Sequence, residues 1–478
     1  MGFINIIAKA CGSSKLNQAD QKYIASLQEQ RLRRLLHHAA SHSDFYNKRY
    51  KGIDIARCRL TDLPVVTKSA MMDNFDRFVT DRRLKLQEIQ DWRSDKTNTW
   101  KRYLGEFIPV YTSGTSAETA LMVYDSRALE LVQAGLLARS FPADKERPLY
   151  YYTKILARLL LGKKLRVAAI VIPRGNIYPV FNVATRLRSL FAKVKLLSLV
   201  DPVQEIVDRL NEFQPDCLIT VSFFIASLAE EQLAGRLDIA LDHPLSFVAG
   251  TGEPLTEHTQ KLALMAWNKK VRNIYGSVEC YTMATSGLDC ERLHVMSDLC
   301  ILEIVDHAYK SVPKGQYGEK ILLTNLFNFV QPIIRYEIED VTGYADQRCE
   351  CGDLSPTLLP VRGRTTDFVY FEKAPGRYEK LHPYVMMAHL FYVDDLRQYQ
   401  IVQTRRNELT LYYVSRKGAL DMEQQLTRAL ADALAHADLE GHVTLKFQRV
   451  ERIARDERSG KFQMMKSLGA PSDLDRGF

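Results

Sequence analysis

The feature that most constrains the fold is a regular alternation of helical and extended segments between residues 126 and 249. Helices are predicted over 126–140, 178–191, 202–212 and 222–234, and strands over 166–172, 194–198, 216–221 and 245–249. Strands that alternate with helices of this length form βαβ units, in which the strands run parallel. The sequence therefore predicts an α/β fold built on a largely parallel sheet.

The pattern changes after residue 300, where strands follow one another directly. The predicted strands are ILEIVD (301–306), EKILLTNL (319–326) and PIIRYEI (332–338). Beyond them the order becomes strand, strand, helix, strand, over YQIVQT (399–404), ELTLYYV (408–414), Leu420 to Ala435, and VTLKFQRV (443–450). This order predicts a small α+β domain. We place the boundary at Thr366, giving an amino-terminal domain over 1–366 and a carboxy-terminal domain over 367–478.

Residues 18–45 form a predicted basic amphipathic helix. Its apolar positions, at roughly helical spacing, are Ile24, Leu27, Leu32, Leu35 and Leu36. Such a helix either lies on a membrane surface or packs on the domain with a solvated outer face. We favour packing, because that is the commoner role of such helices.

Composition sets limits on the class of protein. The 478 residues are 46% hydrophobic and 26% charged, which is typical of a globular protein. The net charge of +8 is spread along the chain without a basic block, so no nucleic-acid partner is expected. The apolar stretches 155–161 and 167–173 are too short to span a bilayer. Eight cysteines are too few for a disulfide scaffold, and a reducing, cytoplasmic location is expected.

A short run of small hydroxylated residues, YTSGTSAETA (111–120), lies between two apolar stretches. Hydroxyl groups and exposed backbone N–H groups in a strand-to-strand turn can bind an anion, which would make this run a phosphate loop. An ordinary Ser/Thr/Gly turn has the same composition. The run lacks the GxxxxGK[ST] pattern of a P-loop, so later motifs must decide.

Four further stretches follow in one order. They are GTGEPL (250–255), NIYGSVECYTMA (273–284), PIIRYEIEDVTGY (332–344) with VRGRTTDF (361–368), and RDERSGKF (455–462). Together with YTSGTSAETA, this series resembles the adenylate-forming superfamily of acyl-CoA synthetases and adenylation domains. Within it, the chain is most similar to the phenylacetate-CoA ligase, coenzyme F390 synthetase and CapK group. The resemblance extends over nearly the whole chain.

The resemblance implies a role for each motif. It places the β and γ phosphates of ATP on Thr112, Ser113, Gly114, Thr115 and Ser116. It places adenine along Gly252, Glu253 and Pro254, with Tyr275 stacked on the base beside Gly276. It assigns Mg²⁺ to Glu279, both ribose hydroxyls to Asp340, the ribose or phosphate to Arg364, and the α-phosphate and acyl carboxylate to Lys461. A carboxylate suits both a hard cation and a pair of hydroxyl donors.

Three departures from the family pattern bear on the chemistry. The phosphate loop continues with 117–120, AETA, where a Gly followed by Lys or Pro is usual, and Glu118 brings a negative charge close to polyphosphate. Val278 replaces the usual hydroxyl residue before Glu279. Thr366 stands where the hinge motif usually has an acid, and Asp367 follows it.

Two cysteine-containing stretches have the spacing of metal half-sites. Cys290 and His294 form a CxxxH pair, and Cys349 and Cys351 form a CxC pair. Together they supply the four nitrogen and sulfur ligands of a closed structural Zn²⁺ site. Reduced core cysteines with an unrelated histidine are the alternative, and Cys280 and Cys300 are weaker candidate ligands.

The resemblance thus implies an AMP-forming carboxylate ligase that uses ATP and Mg²⁺, with a carboxy-terminal lid rotating about Thr366. CoA, a carrier-protein thiol or an amine could accept the acyl group. An aryl or arylacetic acid is the family default, and Tyr178, Phe181, Phe223 and Phe224 line either the acid pocket or the core. A homologue that binds nucleotide without catalysis is the rival hypothesis. The sequence leaves open whether the protein forms a homodimer.

Overall fold

The structure, a computed structural model, describes most of the chain. The described residues are 21–98, 101–111, 120–139, 164–171, 192–199, 201–243, 246–252, 255, 257–287, 290–361, 369–381, 383–390, 393, 396–415, 419–451, 453 and 465–468. The predicted helix over 178–191 lies outside these residues.

The described helices are α1 (Gln21–His42), α2 (Asp44–Arg49), α3 (Lys68–Met72), α4 (Phe75–Phe78), α5 (Leu86–Ser94), α6 (Ser126–Ala138), α7 (Val203–Phe213), α8 (Ser222–Leu233), α9 (Glu257–Trp267), α10 (Pro383–Leu390) and α11 (Ala419–His436). Short 3₁₀ turns cover Leu60–Asp62 and Lys96–Asn98.

The described strands are β1 (Ile108–Tyr111), β2 (Leu121–Tyr124), β3 (Leu165–Val171), β4 (Ala192–Ser198), β5 (Cys217–Val221), β6 (Phe247–Thr251), β7 (Val271–Tyr275), β8 (Ala284–Thr285), β9 (Leu293–Val295), β10 (Cys300–Val305), β11 (Lys320–Asn325), β12 (Tyr336–Ile338), β13 (Thr357–Leu358), β14 (Val369–Ala374), β15 (Arg377–Leu381), β16 (Leu396–Arg405), β17 (Glu408–Ser415), β18 (Thr444–Arg449) and β19 (Met465–Lys466).

An eight-stranded mixed sheet forms the centre of the amino-terminal part. Its strand order is β13-β9-β8-β7-β6-β5-β3-β4. The five strands from β7 to β4 are parallel, whereas β8, β9 and β13 extend the sheet by antiparallel pairing. The prediction of an α/β fold on a largely parallel sheet is therefore confirmed, and the antiparallel extension begins directly after the YGSVE stretch.

A second, antiparallel sheet carries the segment that leads to Asp340. It contains β10, β11 and β12 in that order. The predicted strand over 332–338 begins only at Tyr336, because Arg335 has a left-handed backbone with φ of 49°. The Arg335 guanidinium donates to the Glu303 carboxylate at 3.0 Å and to the backbone carbonyl of Thr61. These bonds compensate for a conformation that side-chain-bearing residues seldom adopt.

Helix α1 packs into the core with its apolar side. Leu32, Leu35 and Leu36 are buried together with residues of β10 and β11, which supports the packing alternative over a membrane-surface helix. The predicted single helix to residue 45 ends instead at His42. Ser43 interrupts it because its hydroxyl accepts the backbone N–H of Tyr46 and caps α2. No helix among the described residues is long and apolar enough to cross a membrane.

The described residues after 368 form a separate core. A four-stranded sheet, in the order β18-β17-β16-β19, packs with α10 and α11 around buried side chains such as Phe371, Leu411 and Leu430. The predicted order strand, strand, helix, strand corresponds to β16, β17, α11 and β18. Thr366 lies outside the described residues, so the boundary placed there stays a prediction.

A buried ion pair crosses the amino-terminal part. The Arg139 guanidinium donates to an Asp298 carboxylate oxygen at 2.7 Å, and the two side chains are only 5% and 2% exposed. Removing one member of such a pair leaves a buried charge without its partner, whereas removing both does not.

We therefore expect Asp298→Leu to lower the free energy of unfolding by about 3–5 kcal/mol. The double variant Arg139→Leu/Asp298→Leu should recover a large part of that loss, as measured by urea denaturation. The exposed pair Arg59–Asp62 supplies the control, since Asp62→Asn should leave the midpoint unchanged. Equal losses in the single and double variants would contradict this interpretation.

Candidate nucleotide and metal sites

The glycine and tyrosine motifs meet at one edge of the main sheet. Strands β6 and β7 are parallel neighbours with Thr251 opposite Ile274, so Gly252, just past the end of β6, lies level with Tyr275, the last residue of β7. Gly252 has a φ of 84°, which favours glycine. Ligands of open α/β sheets commonly bind at the carboxyl ends of the strands. The fold therefore brings Gly252 and Tyr275, which the resemblance places along adenine, together at a candidate binding edge.

Asp340 reaches the same edge from the second sheet. It follows β12 by two residues, and the Tyr275 hydroxyl donates a hydrogen bond to its Oδ2 at 2.8 Å. Both side chains are half-buried. Two residues that lie 65 positions apart in the sequence thus touch at the predicted nucleotide site. Sequence reasoning assigned both residues to the nucleotide but missed their direct contact.

The loop 276–283 reverses the chain after β7 and carries Glu279. A methyl group added at Gly276 would lie 1.8 Å from the Tyr281 carbonyl oxygen, so only glycine fits. The Asn325 amide donates to the Glu279 carbonyl at 2.8 Å, and the Glu279 side chain is buried. The Tyr124 hydroxyl donates to the Val278 carbonyl at 2.5 Å. The loop is therefore held by hydrogen bonds from β11 and β2, and Gly276 allows its tight turn.

Several predicted site residues lie outside the described part of the chain. They are Thr112, Ser113, Gly114, Thr115, Ser116, Glu253, Pro254, Arg364 and Lys461. Strands β1 and β2 flank the predicted phosphate loop and pair antiparallel, with Tyr111 opposite Leu121. The predicted phosphate loop is thus flanked by a strand on each side.

The four predicted metal ligands come together in space. Their ligand atoms all lie within 4.8 Å of one another. The His294 Nε2 atom is 3.4 Å from the Cys290 sulfur and 3.3 Å from the Cys351 sulfur, and the Cys290 and Cys349 sulfurs are 3.3 Å apart. Tetrahedral Zn²⁺ holds sulfur and nitrogen ligands about 3.5–3.8 Å apart, so the donor set fits with small adjustments. The sulfur separation is too long for a disulfide, which requires about 2.05 Å.

The surroundings of the cluster suit a metal ligand set. Burial lowers the pKa of His294, which favours the neutral imidazole that binds metals. Burial also raises the pKa of the Cys290 thiol to about 12, so a metal would have to displace its proton. The His294 Nδ1 atom lies 3.8 Å from an Asp353 carboxylate oxygen. Metal-binding histidines are commonly oriented by a hydrogen bond to a carboxylate, and a shift of the Asp353 side chain of less than about 1 Å would form one here.

The two weaker candidates for metal ligands and one candidate for the acid pocket lie in the hydrophobic cores. The Cys280 and Cys300 thiols are fully buried and face the backbone carbonyls of Thr282 and Met283, outside the four-ligand cluster. Phe224, a candidate for the acid pocket, is 2% exposed and belongs to the core around the parallel strands. Tyr178, Phe181 and the side chain of Phe223 lie outside the described residues.

Comparison with solved structures shows that the chain shares its fold with a CoA ligase. The 2-hydroxyisobutyryl-CoA ligase in complex with 2-HIB-AMP and CoA, in its thioesterification state, superposes with a TM-score of 0.56 at 17% identity. The match covers 95% of this chain and 91% of that chain. An open conformation of the same ligase, also with 2-HIB-AMP and CoA, gives a TM-score of 0.51 at 18% identity, covering 92% and 90%. The predicted fold class is confirmed.

The sequence comparison leads to the same group of proteins. The phenylacetate-coenzyme A ligase of Thermus thermophilus is 26% identical over 205 residues, which are 42% of this chain and 44% of that ligase. The matched part is thus less than half of the curated relative. No family model matches the chain. These similarities support the predicted resemblance to phenylacetate-CoA ligases within the adenylate-forming superfamily.

The close approach at Gly276 yields a prediction. We expect Gly276→Ala to lower the free energy of unfolding by about 3 kcal/mol, because the added methyl group meets backbone rather than a movable side chain. Gly376→Ala is the matched control. Its position has a φ of 73° but open space around it, so it should cost only about 1 kcal/mol. Urea denaturation of both variants measures the difference, and similar losses would refute the steric argument.

Proposed function

We propose that the protein is an AMP-forming carboxylate ligase that adenylates a carboxylic acid with ATP and then transfers the acyl group to a thiol such as CoA. The observation that carries the proposal is the hydrogen bond between Tyr275 and Asp340 at the carboxyl edge of β6 and β7. An aromatic ring and a carboxylate on adjoining segments there provide a stacking face for a base and an acceptor for ribose.

The first half-reaction joins two anions. A carboxylate oxygen of the acid attacks the α-phosphorus of ATP, the bond to the bridging oxygen breaks, and pyrophosphate leaves. The protein must hold both anions in line and stabilise the charge that develops. In the proposal, 112–116 bind the β and γ phosphates, Glu279 contributes to Mg²⁺ binding, Arg364 binds near ribose or phosphate, and Lys461 neutralises charge at the α-phosphate and the acid.

In the second half-reaction a thiolate attacks the acyl carbonyl and AMP leaves. The solved 2-hydroxyisobutyryl-CoA ligase holds both 2-HIB-AMP and CoA, which supports CoA as the acceptor. Lys461 belongs to the segment just before β19, an edge strand of the carboxy-terminal sheet. We propose that this domain rotates about Thr366 between the half-reactions and withdraws Lys461. A carrier-protein thiol or an amine is the alternative acceptor.

The Cys/His cluster completes the proposal as a structural Zn²⁺ site. Four protein ligands leave no open coordination position, so the metal acts on stability rather than in the reaction. Cys290 and His294 follow the loop that carries Glu279, whereas Cys349 and Cys351 follow Asp340. A metal bound to all four would fix the two segments that form the nucleotide site.

Adenylation is tested directly by pyrophosphate release. With ATP, Mg²⁺ and a panel of aryl and aliphatic acids, we expect acid-dependent release that falls on the order of a hundredfold in Lys461→Ala. Lys466→Ala is the matched control, because Lys466 is an exposed lysine five positions further on and should retain activity. Adding CoA, a carrier protein or amines to active mixtures then identifies the acceptor. If none of the acids gave pyrophosphate release and the protein did not bind ATP, the proposal would be contradicted. ATP binding without pyrophosphate release would favour the non-catalytic alternative.

The metal proposal is tested by elemental analysis. Protein purified without chelator should contain about one Zn²⁺ per chain, and Cys290→Ser should retain less than about half of it and unfold at a lower temperature. Cys58→Ser is the control and should retain the zinc. Cys58 is buried, lies far from the four ligands in the sequence, and accepts a hydrogen bond from Arg33. Wild-type protein without stoichiometric zinc would rule the site out.

A further inference from the structure

We propose that the Tyr275 hydroxyl is a positioning group for Asp340, through which Tyr275 influences ribose recognition as well as offering its ring to the base. The inference rests on the proposed function, because it deepens the account of the nucleotide site. A stacked aromatic ring requires no hydroxyl, and phenylalanine would present the same face. The hydrogen bond at 2.8 Å therefore points to a second role for this side chain.

Tyr275 is well suited to orient another side chain. As the last residue of β7 it pairs with Ala284 of β8, and its carbonyl accepts the backbone N–H of Met283 at 2.9 Å. The close approach of Gly276 to Tyr281 fixes the backbone that follows. The backbone of Tyr275 is thus held by β8 of the main sheet, and its half-buried side chain packs against the hydrophobic core.

Asp340 lies on a different element from Tyr275. It follows β12 of the second sheet, which the main sheet does not include. A carboxylate has about four acceptor positions, and a donor at one of them restricts rotation of the group. Ordering the carboxylate before binding removes an entropic cost from ribose recognition. The Tyr275 hydroxyl therefore links the two sheets at Asp340, the carboxylate that binds the ribose hydroxyls in this proposal.

The chemistry distinguishes this role from stacking. Loss of the hydroxyl should weaken binding only for ligands whose ribose hydroxyls contact Asp340. Loss of a stacking contact would weaken binding of every adenine nucleotide by the same factor. The two ideas thus differ in how the effect of Tyr275→Phe depends on the sugar.

The experiment is a binding cycle measured by calorimetry with full-length protein. AMP, 2′-deoxy-AMP and 3′-deoxy-AMP are titrated into wild type, Tyr275→Phe and Tyr344→Phe. Tyr344 provides the matched control, because its hydroxyl donates to the backbone carbonyl of Leu302 at 2.9 Å instead of to a carboxylate. Thermal unfolding of each variant checks that the fold is retained.

We expect Tyr275→Phe to weaken AMP binding about tenfold, the effect of losing one hydrogen bond to a charged group. For at least one deoxy nucleotide the loss should shrink to less than about threefold, and Tyr344→Phe should bind all three ligands like wild type. Equal losses for all three nucleotides, or no loss with AMP, would overturn the positioning role while leaving the proposed function intact. Failure of wild type to bind AMP would instead overturn the proposed function on which the inference depends.

Discussion

The site depends on the reversal of the chain directly after Tyr275. Up to that residue the sheet is parallel, and the strand ends place Gly252 and Tyr275 at one edge. After it, the chain turns within a loop so tight that a Cβ atom at position 276 would lie 1.8 Å from the Tyr281 carbonyl oxygen, and β8 returns antiparallel to β7. The reversal loop carries Glu279, whose side chain is buried. It also directs the following segment towards the Cys/His cluster.

The same two segments contribute to both clusters of functional residues. One runs from Tyr275 to His294 and the other from Asp340 to Thr357, and they pair where His294 of β9 faces Thr357 of β13. The hydrogen bond between Tyr275 and Asp340 joins them at the nucleotide end, and the four proposed metal ligands gather at the other. Because both contacts involve the same pair of segments, we expect a change in the metal ligands to alter nucleotide binding.

Sequence periodicity predicted most of the α/β region, because the periodicity of a strand or helix can be read from contiguous residues. Strand and helix periodicity located β3 to β6 and α6 to α8 within a few residues, and the paired Cys spacing led to a cluster that the fold assembles. Contacts that depend on tertiary structure were not predictable in this way. The left-handed Arg335 shortens β12 through bonds to Glu303 and Thr61, which lie 32 and 274 positions away. The Tyr275 hydroxyl bond likewise joins two sheets, and no single-segment pattern encodes it.

The central claim is that a nucleotide binds at the carboxyl edge of β6 and β7 with its ribose on Asp340. A crystal structure of the protein grown with AMP tests this most directly. The account predicts the ribose hydroxyls within hydrogen-bond distance of the Asp340 carboxylate, with the adenine against Tyr275 and alongside Gly252. AMP bound away from these residues, with the Asp340 carboxylate making no contact to the sugar, would contradict it.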